Sequence, residues 1–142
     1  MKRQIFAVIF ALFISVVTNA SQTFAQSQGF RVDVPFDFSV NDKTLPAGTY
    51  VLNSANDNRL MWKIESAHQG PSRFLIARNL SSATDVAGIG LTFRRYGDRH
   101  FLIGFTTSAY QVELPTSGSE KDVKRTDINA ARLVSIETHK SN

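Results

Sequence analysis

The chain has 142 residues, contains no cysteine, and is 42% hydrophobic and 20% charged. Its formal net charge of +4 falls to about +2 when the two positive charges of Lys2 and Arg3 are subtracted. This composition excludes a disulfide scaffold and the attachment of lipid through a cysteine, and so small a charge excess gives no reason to expect nucleic acid as a partner.

The N-terminus has the three parts of a secretory signal peptide over residues 1–25. A basic start is followed by a largely apolar run over residues 5–17 and then by a short polar stretch that ends in small residues. At the rise of an α-helix the apolar run is about 20 Å long. It is therefore short of the roughly 30 Å hydrocarbon core of a membrane, which argues against the alternative of a membrane anchor. The pattern predicts cleavage after Ala25, with Ala20 as the second candidate, and export to the periplasm or the medium. Residues 26–142 are expected to form a single exported domain without a transmembrane segment.

Residues 30–40 alternate without a break between apolar and polar side chains. This period of two predicts one long strand with one buried face. Pro35 has no backbone N–H to donate, so the strand is expected to lie at the edge of its sheet or to bulge there. Asp33 and Asp37, on the polar face, are charges of the kind that protect an edge strand from pairing with another chain.

Turn-forming residues divide the next part of the chain into short strands. Clusters at residues 41–43 and 45–48 precede a strand expected over residues 49–53. Residues 60–65 alternate again and predict a third strand. Its apolar face carries Trp62, which is expected in the core, with a stacking platform for a ligand as the alternative.

Three further strands are expected before residue 106. Residues 74–77 are apolar on both faces, which predicts a central strand. Residues 81–88 are expected to form a loop. Residues 91–96 and 100–105 then alternate on either side of a turn at Tyr-Gly-Asp-Arg, residues 96–99, and predict a hairpin.

The register of this hairpin depends on whether its loop contains an even or an odd number of residues. A two-residue loop pairs Phe93 with Leu102 and divides the apolar side chains between two faces. A three-residue loop pairs Phe93 with Ile103 and Leu91 with Phe105, which gathers them on one face. We therefore expect the odd loop or an equivalent bulge. The residues expected in the core are Phe36, Phe38, Phe93, Phe101 and Ile103.

The composition changes after residue 115. Residues 117–125 predict a short surface helix, with Ser117 or Ser119 as the N-cap, Glu120 early and basic residues late. Residues 131–139 alternate once more and predict a last strand. The whole pattern predicts an all-β fold, either an antiparallel β-sandwich or a small barrel of six to seven strands, with one short late helix.

Three motifs occur in a fixed order: Val-Pro-Phe-Asp-Phe at residues 34–38, Leu-Pro-Ala-Gly-Thr-Tyr at 45–50 and Arg-Tyr-Gly-Asp at 95–98. In these motifs the chain resembles a family of short secreted bacterial proteins of uncharacterised function, frequent in acidobacteria. The resemblance covers roughly residues 30–125. Because the motifs describe a strand, turns and a hairpin, it implies a common fold and carries over no activity, ligand or site residue.

Residues with catalytic or metal-binding potential are scattered along the chain. His68, His100 and His139 lie in different segments without the spacing of metal ligands. Asp33 and Asp37 share a strand face at a separation of about 13 Å, too far for a glycosidase pair. No Gly-x-Ser-x-Gly elbow is present. The sequence therefore predicts a protein that is not an enzyme and that uses no metal or other cofactor.

The densest basic and aromatic cluster surrounds the turn of the predicted hairpin: Arg94, Arg95, Tyr96, Arg99 and His100. Planar guanidinium groups bind carboxylate, sulfate and phosphate groups, so this cluster is the candidate binding site. The partners considered are an anionic polysaccharide, a lipid or an envelope protein, and the alternative is a solubilising hairpin tip. We expect a non-catalytic binding or interaction module of the cell envelope or medium. A self-assembling structural protein and an enzyme with an unrecognised site are the alternatives.

Overall fold

The computed structural model of the chain describes residues 29–83, 88–126 and 131–138. The predicted signal peptide and its cleavage site lie outside these residues. Within them the chain forms eleven strands and one helix. The strands are β1 Phe30–Val34, β2 Phe38–Val40, β3 Lys43–Leu45, β4 Gly48–Ser54, β5 Met61–Ser66, β6 Ser72–Ile76, β7 Asn79–Ser82, β8 Gly90–Tyr96, β9 Arg99–Thr106, β10 Tyr110–Glu113 and β11 Arg132–Glu137, and the helix between β10 and β11 is α1 Gly118–Thr126.

The strands form two sheets. Sheet A contains four antiparallel strands in the order β1-β4-β5-β6, and sheet B has the order β11-β8-β9-β10-β7. The small hairpin of β2 and β3 joins sheet B because β2 pairs in parallel with β9. The all-β prediction is confirmed, and the architecture is a sandwich. More strands are present than expected because β2, β3, β7 and β10 have only three or four residues, too few for a periodic pattern. β7 also occupies the first two residues of the loop expected over residues 81–88.

The single strand expected over residues 30–40 is wrong. The chain divides at Pro35, with β1 paired to β4 in sheet A and β2 paired to β3 and β9 in sheet B. The missing N–H of Pro35 ends the ladder, and the chain crosses between the sheets at this point. The carboxylate of Asp37 accepts a hydrogen bond from the backbone N–H of Ala47 at 2.8 Å beside the crossing. β1 is an edge strand, as Pro35 predicts.

The hairpin of β8 and β9 has a two-residue loop, so the odd loop is not formed and the equivalent bulge is confirmed instead. Phe93 accordingly pairs with Leu102. A bulge at Ile103 then shifts the register, and Leu91 pairs with Phe105 as expected. The bulge has the effect expected of an odd loop, because it returns the apolar residues beyond it to the core face.

Trp62 joins the two sheets in the core. Its ring meets that of Phe105, from sheet B, edge to face with centroids 4.8 Å apart. Its indole Nε1 donates a hydrogen bond of 2.8 Å to the backbone oxygen of Arg59, so burial leaves no polar atom of the ring unpaired. The prediction that Trp62 belongs to the core is confirmed.

Three of the five residues expected in the core are fully buried: Phe38, Phe93 and Phe101. Phe38 and Phe93 lie between the sheets, whereas Phe101 is buried on the opposite, outer face of sheet B. Phe36 is half-buried and packs against the core. The prediction for Ile103 is wrong, because the bulge turns this half-exposed side chain to the outer face.

Residues 74–77 do not form a central strand. β6 lies at the second edge of sheet A. Leu75 is buried, but Phe74 and Ile76 on the outer face are 58% and 62% exposed. The backbone oxygen of Phe74 accepts a hydrogen bond of 2.8 Å from Nδ2 of Asn41, which covers part of the open edge. The apolar character of both strand faces therefore reflects an exposed apolar surface rather than a position inside the sheet.

The late helix and the last strand are confirmed. The helix expected over residues 117–125 is α1, and the strand expected over residues 131–139 is β11. Ser117 is the N-cap, because its Oγ accepts a hydrogen bond of 3.2 Å from the backbone N–H of Glu120. The carboxylate of Glu120 is the one buried charged group among the described residues.

Candidate functional site

The five residues of the predicted binding cluster do not share one surface. Because side chains alternate along a strand, Arg94, Tyr96 and Arg99 project from the outer face of sheet B. Arg95 and His100 project from the face that carries the core. The hairpin therefore does not present its three arginines together to one ligand.

Arg94 lies beneath α1 in an ion pair with a buried carboxylate. Its Nη1 donates to Oε1 of Glu120 at 2.7 Å, and Glu120 is 1% exposed. Burial lowers the pKa of Arg94, but the hydrogen bond and charge of Glu120 outweigh this effect and the pKa is raised. The hydroxyl of Tyr96 lies 3.5 Å from the same oxygen, and burial raises the pKa of Tyr96. Arg99, the third member of this face, holds its guanidinium 5.2 Å from the ring centre of Phe101.

The first turn of α1 is also held by the turn between β2 and β3. Asn41 and Asp42 form this turn with positive φ angles of 47° and 61°. The carboxylate of Asp42 accepts hydrogen bonds from the backbone N–H groups of Ser119 at 2.7 Å and Gly118 at 3.3 Å. The hydrogen bond from Ser119 has the largest effect, and together these bonds lower the pKa of Asp42. The first turn of the helix is thus fixed over sheet B in two ways, by its backbone N–H groups and by the side chain of Glu120.

Arg95 and His100 lie on the other side of the hairpin. Nη2 of Arg95 is 3.6 Å from Oδ1 of Asp98 in a solvent-exposed pair. The imidazole of His100 stacks on Phe36, with ring centroids 3.8 Å apart. Burial and then the charge of Arg95 lower the pKa of His100. These contacts are consistent with a structural role at the rim of the core.

A groove crosses the outer face of sheet B beside α1, and it is termed here the outer groove. It has one compartment of about 390 Å³ and a second of about 230 Å³. Thr92, Thr106 and Gln111 line both compartments, so the two lie side by side on this face. The first compartment extends towards α1, and its walls include Arg78, Arg94, Ile103, Glu113 and Leu133.

The floor of the outer groove consists of two rows of residues that run across four strands. The middle strands, β8 and β9, contribute only glycine and threonine to these rows, so the floor is lowest at its centre. At Gly104 the neighbouring strand excludes a side chain, because a Cβ would lie 2.5 Å from the backbone oxygen of Val112. The rows are Ser135, Thr92, Gly104 and Glu113, and Glu137, Gly90, Thr106 and Gln111.

The other candidate groups do not assemble into a site. Among the residues that the structure describes, no three histidine, aspartate or glutamate side chains are placed to hold a metal ion. His68 lies in a turn, His100 in β9, and His139 outside the described residues. Asp33 and Asp37 each accept a hydrogen bond that fixes neighbouring structure. No helix in the described ranges has the length and apolar character needed to cross a membrane.

Comparison of the chain with protein-family models, with curated proteins and with solved structures gave no significant match. The resemblance of the three sequence motifs to a family of secreted proteins therefore stays a prediction. Function has to be argued from the residues of the site itself.

Of the predicted cluster, only Arg94 lines the outer groove. Four further groove residues were not among the predicted site residues: Thr92, Thr106, Gln111 and Glu113. A usable signal exists, because all four occupy the polar positions of alternating strands and must therefore face away from the core. Their alignment in neighbouring rows depends on the bulge and on strand pairing, which local patterns do not specify.

Proposed function

We propose that this protein is exported and acts as a non-catalytic binding module, and that the outer groove of sheet B is its binding surface. The observation that carries the proposal is the position of two neighbouring compartments on one sheet face, over a central floor of glycine and threonine. A sandwich requires only the inner face of each sheet for its core. A concave surface with a few convergent polar groups is the usual form of a ligand site.

The positions of the charged groups support the same proposal. Arg94 is one-third exposed, with 32% of its side chain accessible, while Glu120 holds one of its nitrogens from behind. Arginine has five N–H donors, so donors remain for a ligand after this bond is formed. A guanidinium fixed by a buried partner loses little side-chain entropy when it binds. The export part of the proposal rests on the three-part N-terminus.

The proposal is tested with a blocking variant. Thr106 lines both compartments and pairs with Gly90 and Gln111, so Thr106→Tyr places a ring across the groove in a residue type that strands favour. Ser72→Tyr, at an exposed position of sheet A, is the matched control. Both proteins, purified after secretion, are applied to arrays of glycans, lipids and peptides. Ligands that the parent and Ser72→Tyr bind and Thr106→Tyr does not bind support the proposal. Ligands that all three bind equally contradict it.

A second candidate function, self-assembly, is favoured by the outer surface of sheet A. Met61 pairs with Ile76 across β5 and β6, and Phe74 lies on the same face. All three are exposed, as is Leu60 beside them. Exposed apolar side chains on an edge strand are a common means of association. Sedimentation velocity of the parent and of Phe74→Ser/Ile76→Thr tests this idea. A monomeric parent at high concentration excludes it.

A further inference from the structure

The charges that line the outer groove balance one another. Arg78 and Arg94 are opposed by Glu113 and Glu137, all four on its walls or floor. The charge of Arg94 is already met by the buried Glu120 at 2.7 Å, and Nη2 of Arg78 lies 3.9 Å from Oε2 of Glu113. A polyanion placed in this groove meets two carboxylates and no free excess of positive charge. When Glu120 is counted, two guanidinium groups face three carboxylates, so the outer groove disfavours an anionic ligand and leaves hydrogen-bonding groups for an uncharged one.

The remaining polar groups of the groove suit hydroxyl groups. Gln111 offers a donor and an acceptor, threonine hydroxyls offer both, and carboxylates accept bonds from hydroxyl donors. Gln111 and Glu113 both lie on β10, and each is the last residue of one floor row. A ligand that carries several hydroxyl groups satisfies donors and acceptors together, which a lipid tail does not do.

Two apolar side chains form part of the groove wall next to Arg94. Leu133 pairs with Arg94 across β11 and β8 and is 70% exposed. Ile103, turned outward by the bulge, lines the same compartment. A sugar ring has hydroxyl groups at its edge and C–H groups on its faces, so it matches a polar floor beside an apolar wall. The floor crosses four strands, and three steps of about 4.8 Å give a length of roughly 14 Å, enough for a few linked rings.

We infer that the ligand of the outer groove is an uncharged, hydroxyl-rich oligosaccharide, held by hydrogen bonds to Gln111, Glu113 and Arg94 with its ring against Leu133. This inference rests on the proposed binding function and specifies its ligand class. It differs from the anionic partner expected from the hairpin sequence, because that expectation required arginines whose charges the fold has instead paired or separated.

The inference is tested by titrating the isotope-labelled secreted protein with neutral hexasaccharides of glucose and of N-acetylglucosamine, and with hexagalacturonate as the acidic counterpart. We expect at least one neutral hexasaccharide to shift the amide resonances of β8 to β11, with a Kd that changes little between low and high salt, since no net charge is neutralised. Glu113→Gln should raise this Kd roughly tenfold, because a charged hydrogen-bond acceptor becomes a neutral one. Glu65→Gln, a matched change on sheet A, should leave it unchanged.

The outcomes separate the ligand class from the binding function. If only hexagalacturonate binds and Thr106→Tyr removes that binding, the outer groove is a binding surface but the uncharged ligand is wrong. If a neutral hexasaccharide binds equally to the parent and to Thr106→Tyr, both the inference and the proposed site are wrong. If none of the three oligosaccharides binds, the inference is overturned, and the array comparison decides the binding function independently.

Discussion

Loss of either partner of the Arg94–Glu120 ion pair should lower the free energy of unfolding, but by different amounts for the two residues. Glu120 is 1% exposed, whereas the Arg94 side chain keeps 32% of its accessible surface. Arg94→Met leaves a carboxylate buried without its counter-charge, which should lower the free energy of unfolding by about 3–5 kcal/mol. Glu120→Gln leaves a neutral acceptor beside a guanidinium that water still reaches, so the loss should be only about 1–2 kcal/mol.

The double variant Arg94→Met/Glu120→Leu tests whether the cost arises from the unpaired charge. Replacing both charged groups by apolar ones removes the desolvation cost together with the attraction. We expect this protein to lie within about 1 kcal/mol of the parent, which implies a large coupling energy between the two positions. Arg125→Met is the control, because Arg125 and Asp122 form an exposed pair at 4.0 Å on the same helix, where loss of the contact should cost less than about 1 kcal/mol.

The assay is equilibrium unfolding in urea, followed by tryptophan fluorescence. Trp62 is the single tryptophan of the chain and is buried between the sheets, so its emission reports loss of the core. The parent and all variants are compared at one pH with a shared slope. If Arg94→Met costs no more than Arg125→Met, the buried pair does not hold α1 to sheet B and the argument is refuted.

Three further predictions follow from burial, titration and the N-terminus. In the urea assay, Phe93→Ala should lower the free energy of unfolding by about 3–5 kcal/mol, because Phe93 is fully buried. Ile103→Ala should lower it clearly less, because Ile103 is only half-buried in the outer groove. Equal losses would contradict the faces assigned to the two side chains. Because the pKa of His100 is lowered, the unfolded chain binds a proton more readily than the folded one, so stability should fall as pH drops below about 6.5. His100→Gln should flatten this dependence, and an unchanged pH profile would show that the ring is not desolvated. N-terminal sequencing of the secreted protein should give Gln26, and a chain that retains residues 1–25 would disprove the signal peptide.

Local patterns were sufficient for the longer elements of this fold, whereas β2, β3, β7 and β10 are too short for a periodic pattern. Strict alternation identified the strands around Val34, Trp62 and Phe93 because a pleated strand turns successive side chains to opposite faces. The sequence indicated Ser117 or Ser119 as the cap, because a serine oxygen can accept a bond from an N–H group two or three residues later, and the structure selects Ser117. Both rules act over a few residues, so the sequence contains all the information that they need.

The same patterns did not specify how the elements combine. Apolar side chains on both faces fit a central strand and an exposed edge strand equally well. The pattern of residues 74–77 therefore predicted a central strand, and only the pairing of β6 with β5 alone shows that it is an edge. Alternation also continued through Pro35, although the two halves of that segment belong to different sheets. Pairing between strands depends on contacts distant in sequence, which a periodic pattern does not encode.

The candidate site was decided entirely by tertiary structure. The five residues 94–96, 99 and 100 are close in sequence, yet strand alternation directs them to two faces. Arg94 instead meets Glu120, 26 residues away, and joins side chains of β8 to β11 around the outer groove. Sequence determines the charge of each side chain, and its face only as far as the strand remains regular, since a bulge turned Ile103 outward. Which charges neutralise one another, and which remain available to a ligand, depends on the packing of helix against sheet, because electrostatic interactions act through space rather than along the chain.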